Sequence, residues 1–191
     1  DVNVIVAAVD SVAERETWLE VYSELEGVSV DLPAPLQKPA EESWPLLVRY
    51  PIKAAEHMVT ADFPGRLQMK MELSKLDSRP VRASVELGGS VDQLPEPGLF
   101  KVSGESAEFD LDGWVDLAIH EMAGGTKEDG LTLTTARVDA GRVRIFDRFF
   151  NDVSMTMSYQ DEIITSDFDS VGIDGIVRYY KTDEGAHSMS G

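Results

Sequence analysis

Residues 66–74 read RLQMKMELS, and the reading of this stretch decides the fold. Leu67, Met69, Met71 and Leu73 alternate with Arg66, Gln68, Lys70 and Glu72. A strand turns successive side chains to opposite faces, so the pattern predicts a strand with one dry face and one wet face. The same period returns in VRASVEL, where Val81, Ala83, Val85 and Leu87 alternate with Arg82, Ser84 and Glu86. It returns again in VSMTMSY, with Val153, Met155, Met157 and Tyr159 set against Ser154, Thr156 and Ser158. All three strands are one-sided.

Weaker signals fill the intervals. TWLEVYSEL and VSVDL suggest a hairpin across Glu26-Gly27, and LLVRYPI suggests a short strand stopped by Pro51, because proline cannot extend a ladder inward. LTLTTARV and RVRIF flank Asp139-Ala140-Gly141, a glycine-bearing turn signal, while EIITSDF and GIVRYY read as a further pair. PGLFKVSGESAEFDLDGW reads as a strand that ends, turns and restarts. One helix is predicted near residues 112–122, in DGWVDLAIHEM. Leu111, Val115, Ala118 and Met122 recur at helical spacing, Asp110 or Asp112 is placed to cap the start, and Gly124-Gly125 to end it. Many short strands with one helix predict a mainly β protein: an antiparallel, half-rolled sheet, groove-like or sandwich-like. The expected organisation is one β-rich module over residues 1–185, with a subdomain edge near the proline-rich stretch 33–45 and a disordered tail at 186–191. A chain that starts inside a strand and ends in a polar tail reads as a piece of a longer protein.

The 191 residues carry 35 acidic and 17 basic side chains, a net charge of −18. Such a surface repels nucleic acid, which is held by Lys and Arg on phosphates, and it lacks the basic clusters that anionic bilayers recruit. The acids keep a sheet-rich chain soluble. Zero cysteine excludes disulfides and thiolate chemistry. No apolar run approaches the roughly 20 residues of a membrane helix.

The catalytic inventory is thin. His57, His120 and His187 are far apart and show no zinc-like spacing; His120 falls on the polar side of the predicted helix. Asp110, Asp112 and Asp116 cluster at the helix start, where capping and the helix dipole account for them. No glycine cluster sits in the strand–loop–helix context of a phosphate cradle, and no serine forms a nucleophile elbow. The residues therefore predict no catalytic group, no metal and no cofactor. The dry faces remain, and methionine is the side chain that adapts to varied partners.

Three stretches in order resemble one family. In WLEVYSELEGVSVDLPAPLQKP the residues are Ser23, Leu25, Gly27, Leu32, Pro33, Pro35, Leu36 and Lys38. In VELGGSVDQLPEPGLFKVSGESAEFDLDGW they are Leu87 to Gly89, Pro97 to Leu99, Val102 to Gly104, and Leu111 to Trp114. The closing meander carries Val171 and Gly175, and departs from the pattern at Ile163 and Ile164, where a tryptophan is usual. Over most of its length the chain resembles the YhdP-type branch of the AsmA-like envelope proteins of Gram-negative bacteria. The resemblance implies a non-catalytic periplasmic segment of a long protein anchored in the inner membrane and implicated in phospholipid transport to the outer membrane. It implies a sheet rolled into a gutter that shields acyl chains, with phospholipid and the rest of the parent chain as partners. Leu67, Met69, Met71, Leu73, Val81, Val85, Val153, Met155 and Met157 are the expected dry lining. Two other classes fit the same residues: an envelope scaffold binding proteins at its sheet edges, and an envelope carbohydrate-active enzyme using Asp110, Asp112 and Asp116.

Overall fold

Among the described residues the alternating stretches lie in one sheet of twelve strands whose spatial order is the order of the sequence, two of them as neighbours and the third further along. The computed structural model describes residues 4–11, 16–53, 57–124, 131–160, 163–172, 174–181 and 187–190, with side chains over 17–53, 57–117, 131–160, 163–172 and 174–179. The strands are β1 (Val4–Ser11), β2 (Glu16–Ser23), β3 (Leu46–Lys53), β4 (Met58–Phe63), β5 (Leu67–Leu73), β6 (Pro80–Leu87) and β7 (Leu99–Asp110). Helix α1 (Leu111–Gly124) follows, then β8 (Thr132–Ile145), β9 (Arg148–Gln160), β10 (Ile163–Asp169), β11 (Asp174–Lys181) and β12 (His187–Ser190). Among the described residues the protein is mainly β with one helix, as expected. Residues 187–190, inside the stretch expected as a tail, pair with β11.

Neighbouring strands are antiparallel except β6–β7 and β7–β8, which are parallel. Parallel neighbours need crossovers, and the two crossovers lie on opposite faces. Residues 88–98 cross the wet face of β5 and β6: Lys70 donates to the Val91 carbonyl at 2.6 Å, Val91 N–H donates to Gln68, and Arg82 donates to the Pro95 carbonyl. Helix α1 crosses the dry face, burying Leu111 and Val115 in the core. Because β6, β7 and β8 run in one direction and in sequence, crossovers on opposite faces have opposite hands, so one of them departs from the usual right-handed rule.

Four expected boundaries are corrected. Asp139-Ala140-Gly141 is no turn; β8 runs through it, and the chain reverses at Phe146 and Asp147, both at positive φ (53° and 58°) as a two-residue hairpin turn requires. Gly141 instead lies where β8 changes face: Ala136, Val138 and Ala140 are buried before it, Val143 and Ile145 after it. β9 does the same at Asp152 (φ 50°), and a Cβ at Gly141 would stand 3.2 Å from the Ala107 carbonyl of β7.

β7 likewise passes straight through Gly104 into α1 without turning. Pro51 does not stop β3, which continues to Lys53. The β4 ladder ends at Arg49, so Pro51 faces only Trp18 of β2, where its missing N–H breaks nothing on the β4 side. VSVDL forms no hairpin with β2; Val30 makes an isolated bridge with Lys38, and residues 24–45 form a folded excursion.

Candidate functional site

Register carries the dry face from strand to strand. Leu19 and Val21 stand beside Tyr50 and Val48, and Val48 beside Ala61. Ala61 and Val59 stand beside Met69 and Met71, which lie beside Val85 and Ala83. Val85 then meets Val102, Val102 meets Ala136, Ala136 meets Met157, and Met157 meets Ser166 beside Val177. One continuous apolar face therefore crosses the sheet from β2 to β11.

The two halves of that face differ in cover. From β2 to β6, Leu19, Val21, Val48, Ala61, Met69, Met71 and Val85 are only partly buried and Tyr50 is 39% exposed, while Val59 and Ala83 between them are buried. From β7 to β11, Val138, Met155 and Phe168 are at most 1% exposed, packed in one core cluster with Leu111 and Val115 of α1 and with Val143 and Ile145. Of the nine expected lining residues, Met69, Met71 and Val85 lie on the open half and Val153, Met155 and Met157 on the covered half. Leu67 is packed in the core. Leu73 and Val81 sit by the irregular β5–β6 end, beside a surface hollow that includes His57 and Glu72. The structure brings them onto one sheet but does not make them one site.

Between the halves lies an apolar cavity of about 240 Å³, open over part of its boundary. Its floor is Val85, Val102, Ala136, Met157 and Ile164; its roof is Leu36, Trp114 and Val115. Only Val85 and Met157 among its walls were expected. Phe100, Val102 and Leu133 escaped notice because the alternation of β7 is broken by Gly104 and Ser106 and that of β8 by threonines. The roof could not be read from periodicity at all, since it joins a loop to a helix.

That roof is built from the two most distinctive stretches of the sequence. Asp110 caps α1, accepting from Gly113 N–H at 3.0 Å. The Ala34 carbonyl accepts from the Trp114 indole N–H at 2.8 Å and from Asp110 N–H at 3.1 Å. A Cβ at Gly113 would stand 2.8 Å from the Pro33 ring, so only glycine lets the loop lie this close. Lys38, 1% exposed, fastens the far side by donating to the carbonyls of Val28 (2.7 Å) and Pro39 (3.1 Å). Trp44 closes the end against Phe63, with the Arg66 guanidinium 4.0 Å over its ring.

The carboxylates at the helix start are engaged structurally. Asp110 also accepts from Arg144 at 2.9 Å, and Asp112 accepts from the N–H groups of Phe146 (2.9 Å) and Asp147 (3.0 Å), steadying the β8–β9 turn. Asp116 is exposed. The side chains of Ala118, His120, Met122 and His187, and residue Gly125, lie outside the described residues. Among the described residues no group of His, Asp and Glu could hold a metal ion, and no helix is long and apolar enough to cross a membrane. A larger hollow of about 620 Å³ at the strand corner, lined by Glu105, Asp139 and Asp152, is polar and shallow.

A family model described as YhdP protein matches residues 5–190. Comparison with curated proteins and with solved structures found no match.

Proposed function

The chain belongs to the YhdP family, and from that premise we propose that it is a non-catalytic module of an AsmA-like envelope protein, carrying phospholipid acyl chains through the periplasm along the dry face of its sheet. The observation that carries this reading is the continuity of the apolar face from β2 to β11, left partly exposed at Leu19, Val21, Val48, Tyr50, Ala61, Met69, Met71 and Val85. Soluble domains rarely leave so large an apolar strip uncovered without an occupant. Acyl chains on that strip leave water at about 0.8 kcal/mol per methylene, while headgroups stay in solvent. The carboxylates at the helix start, bound into a cap, an ion pair and a turn, support a role without catalysis.

The test uses a photo-cross-linking residue placed in the parent protein in cells. At Met69 and Met71 it gives phospholipid adducts; at Gln68 and Lys70, on the opposite face of the same strand, it gives none. Equal labelling of both faces, or of neither, overturns the reading. Met71→Lys, at a half-exposed position that tolerates a charge, blocks lipid transport without unfolding the module. Met155 is buried too deeply for the same experiment to be informative.

A further inference from the structure

We propose that the roofed cavity is a dead-end chamber for the tip of one alkyl chain, distinct from the open gutter and entered from it past Val85. This rests on the reading above in one respect only, that the open face holds acyl chains. Val85 joins the two spaces: it lines the chamber and stands beside Met69 of the open half. The chamber and the gutter are thus continuous at one residue.

Size and wall chemistry select the occupant. A methylene takes roughly the 30 Å³ of a water molecule, so about 240 Å³ has room for about eight. Two whole acyl chains exceed that volume, and ordinary ligand pockets are larger, roughly 300–1,000 Å³. The exposed wall is almost wholly carbon, although Ser158 and Tyr159 are among its residues, and the indole N–H that could serve a polar guest is already given to Ala34. A cavity so lined favours apolar guests. Beyond the floor, Val138, Met155 and Phe168 are sealed, so a chain entering past Val85 stops. A headgroup remains outside, over Met69 and Met71.

The test titrates the 191-residue chain with 1-alkanols from butanol to dodecanol, followed by ligand-observed NMR. Affinity rises about fourfold per methylene up to about octanol and then levels off. A rise that continues unbroken to dodecanol overturns the chamber while leaving the open gutter standing. Absence of octanol binding also overturns the chamber, and the cross-linking at Met69 and Met71 then decides the gutter independently. Ala136→Leu, which fills the floor, weakens octanol binding at least tenfold; Val102→Leu does so from the neighbouring strand should the first variant fold poorly.

Discussion

The indole of Trp114 donates a hydrogen bond to the carbonyl of Ala34, joining residues 80 positions apart at 2.8 Å. The bond ties the proline-bearing excursion to the first turn of the helix, and so roofs the apolar cavity. Because Asp110 N–H shares the same acceptor, the helix start is fixed in position as well as capped.

Replacing Trp114 by Phe keeps an aromatic ring beside Phe109 and removes the donor together with the second ring of the indole. The loss in urea unfolding is at least the net value of one such bond, about 0.5–1.5 kcal/mol, with the lost packing added to it. An unaltered midpoint would show that Pro33 and Lys38 hold the roof without the indole.

Gly104 is the position least tolerant of a side chain. Its φ of 119° and its approach to Leu87 both forbid a Cβ, which would overlap the Leu87 carbonyl oxygen and amide. Gly104→Ala therefore costs about 3 kcal/mol or more, combining backbone strain with a displaced parallel ladder. Gly27 (φ 79°) faces open space, so Gly27→Ala costs only the left-handed strain, about 1–2 kcal/mol. Chemical denaturation of the two variants side by side checks the order.

Tyr179 sets the alkaline limit. Burial first, and the Asp112 charge second, hold its phenol above the ordinary value. The folded state therefore keeps a proton that the unfolded chain releases. Stability from this group is complete below the unfolded value, about pH 10, and falls as pH rises beyond it. Tyr179→Phe removes that fall. At neutral pH it is no less stable than the parent, because the hydroxyl is buried without a hydrogen-bond partner among the described residues. Asp112→Asn moves the onset toward the ordinary tyrosine value; thermal unfolding at pH 7 to 11 reads both effects.

The alternation of β5, β6 and β9 was legible because a half-buried strand must write its two faces into the sequence at period two. The helix was legible for the same reason at its own period, and its cap was one of two candidate aspartates. Turn signals were less faithful: Gly141 marked a change of face, while the real reversal used Phe146 and Asp147, held by Asp112 from a different element. A local reading cannot supply a distant carboxylate that makes an unfavourable turn affordable.

By itself the sequence determined that this chain is a mainly β protein with a one-sided dry surface, without cysteine chemistry, and of recognisable family pattern. Periodicity, composition and short motifs are local, and local order is what a linear text records. Only the tertiary structure decided which stretch of the dry surface stays open and which is sealed. That decision rests on contacts between residues far apart in the chain, Trp114 with Ala34 and Gly113 with Pro33. It also rests on two parallel pairings that send one crossover over each face. Cover depends on which segment folds back over which face, and no single strand carries that information.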